Sequence, residues 1–505
     1  MAATTHREPS LLQALFPLAF LVGLLSGAVY LFGDGAAGGP SQIALMLAAG
    51  VGIIVALRNG YQFREIEQGI VHGISLSMGA ILILLVVGSV IGTWILSGVV
   101  PTMIYYGLLI LKPSIFYAAA CIICAMVSMA TGSSWTTAGT VGVALIGIAS
   151  AQDLHLGLAA GAIVSGAYFG DKLSPLSDTT NLAPAIAGTD LFTHIRHMLW
   201  TTVPALIISL VLFAVAGFVV PSPTSTQALE TILSALKANF AIGPHLLLPA
   251  VLVIVMVVRK VPALPALLIG ALVGCVFAVI FQQAAVARFV GEADLPTWQA
   301  MVKGSWMALS SGFKLESGNA ALDELLTRGG MESMLGTVWL ILAAMMFGGV
   351  MEVAGLLQKI AAAVLGLVRG TGSLIVATLG TCIGMNVVAS DQYISIVIPG
   401  RMYRAEFQRR GLHPKNLSRS LEDAGTMTSA LVPWNTCGAF MATTLGVATL
   451  TYAPFAFLNL LNPLIAAVYG FTGFTIERLA PELDGDAVVA GAAQGVAREP
   501  VVPVS

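Results

Sequence analysis

The sequence predicts an all-α polytopic membrane protein made of two inverted-topology repeats, with broken helices or hairpins near the membrane midplane. Three observations carry this. Charged residues are 10% of the 505 and hydrophobic residues 57%, whereas a soluble domain has about 25% charge. Mean hydropathy is +0.90. Apolar runs of bilayer-spanning length recur in two series on either side of a polar stretch. A soluble enzyme, a disordered chain and a nucleic-acid binder are excluded, the last also because the net charge is −2.

The first series of runs lies at about 11–32, 41–57, 77–99, 113–131, 136–151, 156–170 and 198–220. The second lies at about 243–258, 262–281, 335–355, 371–389, 436–450 and 453–475. Together they give about 10–13 spanning segments. His6, Arg7 and Glu8 lead directly into the first run, which reads as a retained helix rather than a cleaved leader. The expected division is a first transmembrane repeat over 1–220, a loop over 221–242, an inverted second repeat over 243–476 and a mobile tail over 477–505. Two amphipathic stretches, 61–76 and 297–329, read as interfacial arms beside the membrane. Cys121 and Cys124 form a C-x-x-C within an apolar run and read as small buried residues rather than a redox pair.

Polar landmarks set the expected register of the repeats. Gly132 and Gly384 are 252 residues apart, as are Asp171 and Asp423. Charge sets the sense. Arg58 with Arg64, Arg259 with Lys260, and the basic run 401–419 mark cytoplasmic loops. The counterpart of that last run, near 150–157, has no Lys or Arg. Corresponding loops on opposite sides mean an inverted repeat, a common plan of secondary transporters. The N-terminus is expected inside, in the plasma (inner) membrane.

Four polar islands interrupt the apolar runs. A carboxylate at the bilayer centre costs at least about 2.5–3.5 kcal/mol, so acids there need compensation. The first island, from Gly166, holds Asp171, Ser177, Asp178, Thr180 and Asn181, with Pro175 and Pro184 as helix breakers. The second holds Ser133, Ser134 and Thr136, either as an unwound tip or as hydroxyls bonding back within a helix. The third holds Asn386, Asp391 and Gln392, with Asp391 either functional or a helix N-cap. The fourth holds Glu422, Asp423, Thr428, Asn435 and Thr436, and there Asp423 is preferred while Glu422 is expected to face solvent near the basic loop. Hard cations such as Na+ favour such oxygen donors. Glu352 stands alone near a helix end, and His194-x-x-His197 lacks further ligands for zinc. No phosphate-binding G-x-x-x-x-G-K-[ST] run occurs, so ATP is not expected to drive the protein.

The strings GSSWTTAGTVGVAL, GAYFGDKLSPLSDTTNLA, TRGGMESMLGTVWL, FGGVMEVAG and ASDQYISIVIPGRMY resemble the NhaC family of sodium/proton antiporters, within the wider ion-transporter superfamily. The likeness runs from roughly residue 10 to 475. It implies secondary transport of Na+ against H+, hairpins in inverted repeats, and a homodimer. It also implies relatives that exchange malate for lactate, so small carboxylates are possible further substrates.

Asp171, Asp178, Asp391 and Asp423 are the expected cation/proton-binding acids, with Na+ bound at the same acids. Ser133, Ser134, Thr136, Ser177, Thr180, Asn181, Asn386, Gln392, Thr428, Asn435 and Thr436 are the expected supporting ligands. A proton and Na+ compete for a desolvated carboxylate, and either one neutralises it for the inside-to-outside transition. No cofactor is expected. The alternative is a Na+/H+-coupled exchanger of organic anions, with helix N-termini and Lys172 receiving a carboxylate. A membrane enzyme is disfavoured, because the islands hold Ser and Asp but no His.

Overall fold

The computed structural model describes residues 6–32, 39–220, 226–292, 294–318 and 320–479. Among these, the regular structure is helical, with only two isolated β-bridges, Phe313 to Arg328 and Leu412 to Arg478. Among the described residues, nine helices are long and apolar enough to cross a membrane, or up to eleven if each of two bent pairs is one span. Three shorter apolar helices, Val99–Ile110, Leu356–Leu365 and Thr436–Leu445, accompany them. The protein is a multi-pass membrane protein.

The helical segments repeat at one spacing. Starts at Pro113 and Thr371, Ser134 and Gln392, Leu156 and Pro414, Asp178 and Thr436, and Leu191 and Thr449 are each 258 residues apart. The punctuation repeats with them. Gly188 and Gly446 both end their helices in the left-handed conformation, with φ of 87° and 71°. His155 and His413 both cap a helix start through a ring nitrogen. The register is therefore 258, and the 252 expected from Gly132/Gly384 and Asp171/Asp423 is corrected. Paired acids misled that count: Asp171 corresponds to Ser429, and Asp423 to Ser165. The inverted sense survives the correction. The turn at 152–155 has no Lys or Arg, while its counterpart at 410–413 begins with Arg410 directly after Arg409.

Several elements differ from expectation. Residues 61–76 are not a separate arm. They open the 34-residue helix Phe63–Leu96, whose start is closed by Glu65 accepting from the Gln62 N–H at 2.7 Å. Residues 297–329 split into helices Thr297–Ser310 and Ala320–Leu326. This segment packs on the long helix, with Ser89 Oγ donating to the Leu309 carbonyl and the Gly330 N–H donating to that of Gly88. The stretch expected as a loop over 221–242 contains helix Thr226–Asn239. Pro184 sits inside helix Asp178–Ala187 rather than breaking it. The first hairpin loop at 33–38 and the tail from 480 lie outside the described residues.

Close helix contact positions the site. Gly166 and Gly170 lie one turn apart on Leu156–Leu173, and any Cβ there would strike the backbone or side chains of Cys121, Cys124 and Ser128. Small residues at this spacing let two membrane helices approach. Cys121 and Cys124 are buried free thiols in this contact, which is the packing role expected for them.

Candidate functional site

Breaks in both repeats build the site. In the first, helix Pro113–Thr131 ends at Gly132, where φ is 70°. Ser133 is extended, and its hydroxyl oxygen accepts from the Thr136 N–H at 3.1 Å to start the helix at Ser134. In the second, Ser390 takes the place of Gly132 with φ of 59°. Asp391 takes that of Ser133, accepting from the Tyr393 and Ile394 N–H groups at 2.9 and 3.1 Å. Asp391 is thus the N-cap allowed for by its sequence, and it also faces a cavity. The following hydroxyls bond back along their helix, Thr137 to the Ser133 carbonyl and Thr140 to that of Thr136.

The second pair of breaks lies between Leu173 and Asp178 and between Ser429 and Thr436. Thr180 Oγ1 donates to the Asp171 and Lys172 carbonyls at 3.0 and 2.9 Å, occupying acceptors freed at the helix end. Asn181, exposed, does the same for Pro175 and Ser177. Asn435 accepts from the Cys437 N–H and donates to Asn386. Asn386 in turn donates to Gly425 O at 2.7 Å and to Thr428 Oγ1 at 3.0 Å. Asn181, Asn386, Thr428 and Asn435 therefore hold the unwound backbone in place.

Four helix N-termini, at Ser134, Asp178, Gln392 and Thr436, meet at one cavity of about 790 Å³. Asp171, Asp178 and Asp391 line it, with Ser133, Ser177, Gln392 and Thr436. Asp171 is nearly buried and accepts from Ser134 Oγ at 2.6 Å and the Ser134 N–H at 3.2 Å. Asp178 is exposed to the cavity at the start of its helix, where the dipole favours a negative charge. Gln392 Oε1 accepts from Ser429 Oγ at 2.9 Å and from the Cys437 thiol. The Thr136 hydroxyl is buried without a hydrogen-bond partner. Among the described residues, no three of His, Cys, Asp and Glu gather into a metal-binding group. The three acids are spread around a shared space, and any cation there would complete its shell with neutral oxygens. Lys260, in a turn at φ of 65°, also lines the cavity.

Asp423 is elsewhere. It forms a fully buried ion pair with Lys172 and accepts from Thr201 Oγ1 at 2.9 Å, with Arg419 Nε at 3.9 Å. It is not among the cavity-lining residues. Lys172 is thereby engaged away from the cavity. Glu422 is completely buried, against the expectation that it faces solvent. The basic run does not end at the membrane surface. It continues as helix Pro414–Leu421 into a π-turn at Glu422–Thr426, which turns both acids inward. Sequence reasoning also passed over Ser429 as a partner of Gln392. The 258-residue register supplies that signal, since this contact is the counterpart of Ser134 with Asp171.

The Na+/H+ antiporter family model matches residues 166–474, which take in the end of the first repeat, nearly all of the second and all four expected acids. The chain is 40% identical to the Na(+)/H(+) antiporter NhaC of Alkalihalophilus pseudofirmus, over 87% of this chain and 91% of that protein. The chain belongs to the Na+/H+ antiporter family, in its NhaC group. It is also 39% identical to the malate-2H(+)/Na(+)-lactate antiporter of Bacillus subtilis, over 92% of this chain and 96% of that protein. A third relative is the arginine/ornithine antiporter ArcD of Halobacterium salinarum, 35% identical over 94% of this chain and 95% of that protein. A member of this family is a transporter rather than an enzyme, and the broken helices of this antiporter are suited to that role.

Proposed function

We propose that this antiporter exchanges Na+ for H+ across the plasma membrane by alternating access, with Asp171, Asp178 and Asp391 taking cation or proton in competition. The observation that carries this is one cavity shared by a nearly buried carboxylate from each repeat, Asp171 at 7% and Asp391 at 2% exposure, with Asp178 beside them. An empty, charged site is expensive to move through the membrane barrier. Binding of Na+ or H+ removes that cost, which favours exchange over leak. Ser133, Ser177, Gln392 and Thr436 supply neutral oxygens at the cavity wall. The NhaC relative, named as a Na(+)/H(+) antiporter, supports the same cargo. Asp423 is not given a cargo role in this reading, because Lys172 already neutralises it. The proposal includes a cytoplasmic N-terminus, from the basic residues at 58–64, 259–260 and 401–419, and a homodimer.

The test is the protein in liposomes with a trapped pH dye and an imposed Na+ gradient, with and without malate or lactate. Proton movement driven by Na+ alone supports the proposal. Proton movement that requires the organic acid establishes a second reading, coupled exchange of small carboxylates. That reading is favoured by the cavity's volume, four converging helix N-termini and Lys260, and by the malate/lactate relative.

A further inference from the structure

Four acids are buried among the described residues of the site region: Asp171, Asp391, Glu422 and Asp423. Two bases are buried with them, Lys172 and Arg419. Both bases belong to Asp423. Lys172 pairs with its Oδ1, and Arg419 Nε is 3.9 Å from its Oδ2 while a terminal nitrogen donates to Thr475. Glu422, with no exposure at all, is left with both carboxylate oxygens free of any hydrogen bond. An ionised carboxylate so enclosed is costly unless paired.

Its neighbours are Thr426, Lys172, Asp171 and Thr179. The Thr426 hydroxyl oxygen is also buried and unpartnered. Thr179 lines the cavity, so Glu422 lies one side chain behind the cavity wall. The titratable and charged groups around it, from every packed element, are Lys172 and Asp171 on Leu156–Leu173, Arg419 and Asp423 on its own segment and Cys382 on Thr371–Val388, with His194 on Leu191–Val219 beside Lys172. Lys172 and Arg419 both serve Asp423, and His194, whose Nδ1 bonds Ser418 Oγ at 2.8 Å, makes no hydrogen bond to Glu422 through its unpartnered Nε2.

We propose that Glu422 carries a proton in the exchange cycle, received from the cavity past Thr179, at a site separate from the cation-binding acids. A proton turns one oxygen of Glu422 into a donor and gives it a use for the unpartnered Thr426 acceptor. Thr426 and Thr179 offer too few oxygens to replace the shell of a Na+ ion, which favours the proton as occupant. The inference rests on the Na+/H+ reading for its place in the cycle, but the proton itself can be read independently.

The experiment uses the full-length protein with Glu422→Gln and Glu422→Asp. Infrared difference spectra between high and low pH should show a protonated-carboxyl band that disappears in Glu422→Gln and shifts in Glu422→Asp. In liposomes, the H+ to Na+ ratio from reversal potentials should fall by one proton in Glu422→Gln, with 22Na+ binding retained, and should stay at the wild-type value in Glu422→Asp. An unchanged band and an unchanged ratio in Glu422→Gln overturn the proposal. So does loss of 22Na+ binding in a folded Glu422→Gln protein, which makes Glu422 a sodium ligand. If Glu422→Gln does not fold, a band unmoved in Glu422→Asp overturns it alone. If Na+ moves no protons in the wild type while the band is present and assigned to Glu422, the function proposed above fails and the protonated Glu422 stands.

Discussion

The break at Ser133–Asp171 and the break at Asp391–Ser429 are the same structure with the charges exchanged. In the first repeat the cap is a hydroxyl, Ser133, and the acid, Asp171, sits on the hairpin helix. In the second the cap is the acid, Asp391, and the hairpin position is a hydroxyl, Ser429. Even the cross-contact is preserved with its roles altered: Ser134 donates to Asp171, and Ser429 donates to Gln392. The lesson is that duplication fixes the backbone while each half contributes one nearly buried carboxylate to a common cavity from a different position. A second contrast follows. The Lys172, Asp423 and Glu422 cluster has no acidic or basic counterparts, because the matching positions are Ala430, Ser165 and Val164.

The sharpest way to break the comparison is to remove each acid in turn. Asp171→Asn and Asp391→Asn should each reduce Na+-driven proton movement to that of empty liposomes, with folded protein retained. Activity left intact in one of them assigns exchange to the other repeat alone.

Next in size is the asymmetric ion pair. Lys172→Met leaves Asp423 buried without its main partner, at a cost on the order of 3–5 kcal/mol. Unfolding in detergent should show this, and Lys172→Met with Asp423→Leu should recover most of it. A third pair probes the left-handed breaks. Gly132→Ser places a Cβ 2.6 Å from the Leu176 Cβ and should cost about 1–3 kcal/mol. The reverse change, Ser390→Gly, removes a non-glycine residue at φ of 59° and should gain up to about 1 kcal/mol.

Smaller still is the difference between the hairpin caps. Asn435→Ala should cost about 1–2 kcal/mol, because Asn435 caps through its side chain. Ser177→Ala should cost less, because Ser177 makes no such bond. The smallest effect concerns Asp190, whose counterpart is Ala448. Hydrogen bonds from the Thr193 side chain and backbone hold the Asp190 carboxyl below the usual carboxylate range. Its stabilisation is therefore fully present above the ordinary carboxylate pKa and is lost as pH falls through the lowered folded value. The Tm difference between wild type and Asp190→Ala should be largest near neutral pH and vanish in acid.

The sequence by itself determined the membrane class, the two repeats, the polar breaks and most of the spans. These follow from composition and from runs of local residues, which bilayer thickness and backbone hydrogen bonding translate directly into helices. It also marked Asp171, Asp178 and Asp391, because acids inside apolar runs stand out in any register. Three things were decided only in three dimensions. The register is 258 because helix ends and left-handed caps repeat, whereas similar acids at 252 do not occupy similar places. The continuity of Phe63–Leu96 came from packing, since an amphipathic start and an apolar end can form one helix or two. Which acids share a cavity depended on contacts across the chain. Lys172 and Asp423 are 251 residues apart, and no local pattern says that they pair. The cost of burying a charge is set by its partners, and those partners are brought together only by the tertiary fold.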